Sequence, residues 1–210
     1  FPKFRKDLIF VMDDSWDIPV GKDGEGQYYG AARLDEGRFP SFKGSPTERL
    51  RALVNKVKDS GWKGLGGWIC AQEAPVVPES AQPESYWVDR MKESEAAGIT
   101  YWKVDFGAHE KDSTWRRMLT RLGHQYAPHL CIEHAMVYPA VKFADAFRTY
   151  DVENIISVPV TIQRVANLLR YKAEPGSHSI INCEDEPYIA VGLGCAIGVM
   201  RHPYNGVLPN

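Results

Sequence analysis

Short apolar segments alternate with amphipathic helical segments along this chain of 210 residues, and this alternation constrains the fold more than any other feature. The first apolar segment, Leu8–Met12, is predicted to be a strand. A polar, Gly-rich loop over Ile18–Ser45 follows, and its length indicates a functional role rather than a plain connection. A helix is predicted over Thr47–Ser60, because its apolar side chains recur at helical spacing and Gly61 ends it. The pattern is typical of parallel βα units.

The alternation continues to the end of the chain. Further strands are predicted over Gly64–Cys70, Ile99–Phe106, Leu130–Glu133, Ala146–Asp151 and Ser179–Cys183, and further helices over Tyr86–Ala97, Thr114–Leu122, Tyr138–Ala144, Val160–Tyr171 and Tyr188–Val199. The sequence contains no internal repeat and no interdomain linker. We therefore predict a single domain over residues 1–210.

An acidic residue stands at the carboxyl end of nearly every predicted strand. These residues are Asp13, Asp105, Glu133, Asp151 and Glu184. In a (β/α)₈ barrel the strand ends converge on one rim, where active sites lie. A doubly wound sheet would also gather them, but no Gly-rich phosphate-binding sequence follows the first strand. The sequence therefore favours a TIM barrel.

Charge and hydropathy exclude several classes of partner. The chain has 25 basic and 27 acidic side chains and a formal net charge of -2, so no overall field attracts nucleic acid or an anionic membrane. No apolar run approaches the roughly 20 residues that a membrane-spanning helix needs, and residues 1–6 lack a signal-peptide core. We predict a soluble protein. Its oligomeric state and compartment stay open, with a secreted or periplasmic location among the alternatives.

The four cysteines are widely spaced and form no metal-ligand pattern. We interpret Cys70, Cys131, Cys183 and Cys195 as buried free thiols on strands and helices, in preference to a disulfide or metal role. No histidine accompanies the acidic strand ends at zinc-ligand spacing, so we predict neither a metal nor a cofactor.

Carboxylate pairs without a metal suit glycoside hydrolysis, in which one carboxylate attacks the anomeric carbon and a second acid protonates the leaving oxygen. Asp105 is the candidate nucleophile, and Asp151 ends a later strand. Lys103 lies two residues before Asp105 and therefore on the same face of its strand. Its cation would keep Asp105 ionised and bind the sugar, unless the pair only stabilises the barrel.

Other residues near the strand ends are candidates for sugar binding. Asp13 and Asp14 are adjacent carboxylates that can hold vicinal hydroxyls. Trp16 and Trp68 offer ring faces for stacking, although Trp68 is equally typical of a core position. Arg148 either anchors a substrate hydroxyl or neutralises neighbouring acids. An oligosaccharide or glycoside is the expected partner.

Four sequence blocks resemble the catalytic barrel of glycoside hydrolase clan D, families 27 and 36, which contain the α-galactosidases (melibiases). Leu8–Trp16 (LIFVMDDSW) resembles the clan's DDGW strand. Gly37–Pro40 and Gly61–Trp68 (GWKGLGGW) resemble its KFP and GLW block. Tyr101–Phe106 (YWKVDF) is similar to the KxD nucleophile strand. Arg148–Asp151 (RTYD), followed downstream by IQ, resembles the family 36 acid/base strand, and the blocks keep the family's order.

The resemblance implies an activity and a set of roles. It implies a retaining exo-α-glycosidase, with Asp105 as nucleophile and Asp151 as acid/base. The implied substrate-binding residues are Asp13 and Asp14 at the O4 and O6 hydroxyls, with Trp16, Lys103, Arg148 and, by a looser match, Glu133. We expect an α-galactosidase. The alternatives are α-N-acetylgalactosaminidase, β-L-arabinopyranosidase or glucan-directed activity, a non-catalytic carbohydrate-binding barrel, and an unrelated metal-dependent barrel hydrolase.

The chain departs from the family pattern at several points. Ser15 stands where the family has Gly, and Arg148 precedes Asp151 by three residues, which is the family 36 spacing. Glu153 is the fallback acid/base. The clan's barrel also has a strand before the DDGW strand and a β-sandwich after the barrel. Neither is recognisable here, so the expected fold is a TIM barrel without its first strand and without the C-terminal sandwich.

Overall fold

The computed structural model describes residues 3–22, 29–75, 83–135, 140 and 142–148. The chain divides into two units, Phe1–Asp145 and Ala146–Asn210, and every helix and strand below lies in the first. Of the strand predicted over Ala146–Asp151, only residues 146–148 are described. The elements predicted after it, with Asp151, Glu153 and Glu184, lie outside the described residues.

Four parallel strands form one sheet in the order β1-β2-β3-β4. They are β1 (Ile9–Met12), β2 (Gly64–Cys70), β3 (Ile99–Asp105) and β4 (Cys131–His134). Each strand lies within one residue of its predicted bounds, and all three pairings are parallel. The predicted α/β fold of parallel βα units is therefore confirmed for the first unit. Closure of the sheet into a barrel stays a prediction.

Helix α1 (Pro46–Asp59) connects β1 to β2, and local sequence explains both of its ends. The Ser45 hydroxyl accepts a hydrogen bond from the Glu48 N–H at 3.3 Å, and the Glu48 carboxylate accepts one from the Ser45 N–H at 2.8 Å. This capping box satisfies two N–H groups that the first turn would otherwise leave unpaired. Gly61, with a φ of 92°, then turns the chain back toward β2.

The other two helices are longer than predicted. Helix α2 (Pro83–Ala97) begins three residues earlier, and proline is well suited to the first turn of a helix. Helix α3 (Ser113–Tyr126) continues four residues further, through Gly123. A Cβ atom at Gly123 would lie 2.5 Å from Ile132 Cδ1 on β4. The glycine therefore permits close contact between helix and strand, and this packing stabilises helix beyond the expected end. None of the helices in the described ranges is long and apolar enough to cross a bilayer.

The sheet has an apolar face that packs against the helices and a second face that carries polar residues. Leu65, Ile69, Trp102, Val104 and Ile132 are buried in one hydrophobic cluster with side chains of all three helices. Side chains alternate along a strand, so the residues between these point to the opposite face. In the parallel register Trp68 lies beside Lys103, Lys103 beside Glu133, and Cys70 beside Asp105. The predicted site residues on β2, β3 and β4 therefore share the face away from the helices.

Candidate functional site

Asp105 is the last residue of β3 and its side chain is buried, with the residue only 4% exposed. Its Oδ1 atom accepts a hydrogen bond from the Phe106 N–H at 3.1 Å. Its Oδ2 atom lies 3.8 Å from Lys103 Nζ. The predicted placement of Lys103 and Asp105 on one face of the strand is thus confirmed. The Asp105 carboxyl group is therefore held between a backbone N–H and an ammonium group and is shielded from water.

Lys103 also reaches across β2 to the end of β1. Its Nζ donates a hydrogen bond to Asp13 Oδ1 at 3.1 Å. The Lys103 side chain is 22% exposed, whereas that of Asp13 is 74% exposed. One cation therefore links a buried carboxylate on β3 to an open carboxylate after β1, which gives the site one closed side and one accessible side.

Asp14 follows Asp13 in the turn after β1. Burial raises the pKa of the Asp14 carboxyl, hydrogen bonds from Ser15 oppose that shift, and the charge of Asp13 adds to it. Ser15 has a φ of 74°, in the left-handed region that favours glycine. The turn therefore has a glycine-like conformation at Ser15, and Ser15 supplies a side chain that glycine lacks.

Glu133 on β4 lies beside Lys103 in the sheet register and is 4% exposed. The Tyr101 hydroxyl donates a hydrogen bond to Glu133 Oε2. Tyr101 lies on the same face of β3 as Lys103 and Asp105, and it is farther than either from the carboxyl end of the strand. Tyr101 was not predicted from the sequence as a partner of Glu133. Its position two residues before Lys103 was the available signal, since alternation places the three side chains on one face.

Both tryptophans predicted at the site are buried. Trp16 is 7% exposed and Trp68 is 2% exposed. The Trp16 indole N–H donates a hydrogen bond to the Trp68 backbone carbonyl at 2.7 Å. The Trp16 ring also packs against Gly67, where a Cβ atom would lie 3.0 Å from the ring. This burial favours a packing role for both rings. Stacking of Trp16 or Trp68 against a sugar stays a prediction.

Asp17 is a further buried carboxyl that the sequence did not single out. It is 3% exposed, and its Oδ2 accepts a hydrogen bond from the Ala32 N–H at 2.8 Å. Its Oδ1 has no hydrogen-bond partner among the described residues. Burial, with a smaller contribution from the charge of Asp14, raises the pKa of Asp17 to about 6. Asp17 thus anchors the long loop before α1 beside the turn that carries Asp13 and Asp14.

The remaining predicted residues are placed only in part. Arg148 belongs to the second unit, and Asp151 lies outside the described residues. Cys70 is a buried free thiol whose pKa is raised, chiefly by burial, and Cys131 is a half-buried free thiol. The described ranges contain no group of three His, Cys, Asp or Glu side chains arranged to hold a metal ion.

Comparison with known proteins gives little further information. No family model matches the chain, and no curated protein matches it. A solved structure from Bacillus halodurans C-125, provisionally named an α-N-acetylgalactosaminidase, shares 16% identity and a TM-score of 0.43 with this chain. The similarity covers 60% of this chain and 40% of that one, so the chain spans two fifths of its length.

Proposed function

We propose that this chain is the catalytic part of a retaining glycoside hydrolase that removes terminal α-linked sugars, and that Asp105 is its nucleophile. The observation that carries this proposal is the buried Asp105 carboxylate at the carboxyl end of β3, 3.8 Å from Lys103 Nζ. Strand ends of this kind hold catalytic groups in barrel enzymes. A carboxylate that is fixed in place and partly desolvated is suited to attack an anomeric carbon.

The first step is glycosylation of Asp105. The hydrogen bond from Phe106 holds Oδ1, so we assign the attack to Oδ2, the oxygen nearer Lys103 Nζ. The new bond between Oδ2 and the anomeric carbon forms as the glycosidic C–O bond breaks. Asp151, assigned by the family resemblance, donates its proton to the leaving oxygen.

The second step returns the enzyme to its starting state. Asp151, now a carboxylate, accepts a proton from water while the water oxygen attacks the anomeric carbon. The bond to Asp105 Oδ2 breaks, and its electron pair returns to the carboxylate. The two displacements together retain the configuration of the sugar.

The open carboxylate of Asp13 supports a sugar site beside Asp105. Asp13 is largely exposed, is fixed by Lys103 and has lone pairs that can accept hydroxyl donors. With Asp14 it would hold the hydroxyls of the terminal sugar, at O4 and O6 by the family resemblance. Glu133 and Arg148 are proposed as further contacts. Galactose is the sugar that we favour, with N-acetylgalactosamine and β-L-arabinopyranose as alternatives.

A panel of aryl α- and β-glycosides tests this proposal, with chelator present throughout. Asp105→Asn and Asp151→Asn are measured beside the wild type. Asp112→Asn is the matched control, because Asp112 caps α3 in the loop after β3 and asparagine caps equally well. We expect turnover of an α-galactoside by the wild type and the control, and its loss in the Asp105 variant. Sugar binding without turnover across the panel would instead indicate a non-catalytic carbohydrate-binding barrel.

A further inference from the structure

Arg116 on α3 is completely buried, with an exposure of 0%, and its guanidinium group lies against the end of β3. Its Nη1 donates to the Val104 carbonyl at 3.0 Å and its Nη2 to the Asp105 carbonyl at 3.5 Å. Its Nε donates to the Glu110 carbonyl, in the loop after β3, at 2.9 Å. A single side chain therefore joins the helix to the last two residues of the strand and to the following loop.

His134 at the end of β4 holds the same guanidinium group from another side. Arg116 Nη1 lies 3.3 Å from His134 Nδ1, and Thr120 Oγ1 lies 2.7 Å from His134 Nε2. Arginine has no acceptor, so His134 Nδ1 must accept and the ring proton must sit on Nε2. The Nε2–H then donates to Thr120 Oγ1, whose own hydroxyl donates to the Arg116 carbonyl at 3.3 Å. These hydrogen bonds have one consistent assignment of protons.

The electrostatics agree with this assignment. Burial, together with the charge of Arg116, lowers the pKa of His134 to about 3. The imidazole therefore stays neutral at working pH and keeps Nδ1 as an acceptor. A neutral ring is required here, because an imidazolium would place a second cation against the buried guanidinium.

We propose that Arg116 is a positioning residue for Asp105. We also propose that His134 and Thr120 hold Arg116 in the orientation in which it binds the strand end. The inference rests on the proposed function, since it takes Asp105 to be the nucleophile. Arg116 does not touch the carboxylate. It fixes the carbonyls of Val104 and Asp105, and so fixes the strand end from which the Asp105 side chain leaves the backbone.

The rate of glycosylation depends on how accurately the Asp105 carboxylate is positioned. Attack on an anomeric carbon requires the nucleophilic oxygen at a near-attack distance, and a misplacement of about 1 Å costs roughly 10²-fold in rate. The Asp105 carbonyl also accepts from the Ala71 N–H at 3.1 Å, so the strand end is held from β2 and from α3 at once. Loss of the contact with Arg116 leaves the Asp105 carbonyl without its hydrogen bond from α3.

Kinetics of Arg116→Met test this role, with Arg49→Met as the matched control. Arg49 is also buried, at 4% exposure, but it lies on α1 and binds Glu36 at 2.8 Å. With both variants shown to be folded, we expect Arg116→Met to lower kcat about 100-fold and to leave the affinity for the free sugar within about twofold. Arg49→Met should leave kcat within about twofold. Equal losses in the two variants would overturn the proposal.

Thr120→Val provides a second test if Arg116→Met does not fold. It removes only the hydroxyl that accepts from His134 and donates to the Arg116 carbonyl. Arg116 then keeps its charge but loses the support of an oriented His134. We expect kcat to fall about fivefold with the sugar affinity unchanged. An unchanged kcat in folded Thr120→Val would contradict the part assigned to His134 and Thr120.

Hydrogen exchange separates this inference from the proposed function, because it needs no substrate. The Phe106 N–H donates to the Asp105 carboxylate itself and therefore reports its position. We expect Phe106 protection to fall at least about tenfold in Arg116→Met, or more weakly in Thr120→Val, and to be kept in Arg49→Met. A wild type that hydrolyses no glycoside would refute the function. Unchanged Phe106 protection in the folded variants would refute the positioning role.

Discussion

Replacement of Asp17 by asparagine should change how the stability of the protein depends on pH. Asp17 is buried, accepts a hydrogen bond from Ala32 at 2.8 Å, and has a pKa raised to about 6. In the unfolded chain this carboxyl has its ordinary pKa of 3.8. Between these two values the folded state binds a proton that the unfolded state has released. The free energy of unfolding contributed by Asp17 therefore falls as pH rises.

The size of the effect follows from the two pKa values. A difference of about two pKa units corresponds to roughly 3 kcal/mol, since one unit is about 1.4 kcal/mol. Roughly 2 kcal/mol of this is lost between pH 4 and pH 7, and the rest below pH 4. Asparagine keeps an acceptor for the Ala32 N–H and does not titrate. The free energy of unfolding of Asp17→Asn should therefore rise by about 2 kcal/mol relative to that of the wild type between pH 4 and pH 7.

Urea unfolding, followed by tryptophan fluorescence at pH 4, 5, 6 and 7, measures this difference. The comparison with a variant is necessary because His134 acts in the opposite direction. Its pKa is lowered to about 3, so its contribution to stability is present above the unfolded value of 6.5 and is lost as pH falls toward 3. Val54→Ala, a buried position on α1 without a titratable group, is the control. We expect its destabilisation of about 2 kcal/mol to be the same at every pH.

The reasoning is refuted if the difference in unfolding free energy between Asp17→Asn and the wild type is constant from pH 4 to pH 7. It is also refuted if the difference changes in the other direction. Either result would mean that Asp17 is charged in the folded state at pH 4, and hence that its burial is compensated by contacts with the solvent or the protein.

Further predictions concern stability and catalysis. Ser45→Ala removes the capping box of α1 and should cost about 1 kcal/mol in urea unfolding, whereas Ser45→Asp should cost much less. Gly30→Ala should cost about 3 kcal/mol, because Gly30 has a φ of 67° and a Cβ there would lie 1.8 Å from the Gln72 carbonyl oxygen. A cost below 1 kcal/mol would show that the loop adjusts. Lys103→Met should lower kcat/KM for the proposed substrate about 100-fold with little change in Tm, and an unaltered kcat/KM would remove Lys103 from the mechanism.

The sequence predicted the elements of the first unit closely, because their signals are local. The strands follow from short apolar runs, and α1 follows from its periodic apolar residues and Gly61. The end of α3 was predicted too early because it depends on tertiary packing. Gly123 lies within the helix and packs closely against Ile132 on β4, and the pattern of apolar residues in the sequence does not reveal that contact.

The candidate site was predicted only where alternation along one strand decides the geometry. Lys103 and Asp105 lie two residues apart, so their proximity follows from the period of a strand. Asp17, Arg116 and His134 could not be predicted in the same way. Their partners are between 11 and 18 residues away or lie in a loop, and which carbonyl or N–H they contact depends on how loops and helices pack.

Trapping of a covalent intermediate tests the central claim most directly. An activated fluoroglycoside that slows the second displacement should label a retaining enzyme on its nucleophile. Trypsin cleavage after Lys103 and Lys111 yields the peptide of residues 104–111, VDFGAHEK, which contains Asp105 and Glu110. We predict one glycosyl group on this peptide, placed on Asp105 by fragmentation and absent from Asp105→Asn. A label on any other carboxylate, or turnover of the glycoside without a label on this peptide, would contradict the assignment of Asp105 as the nucleophile.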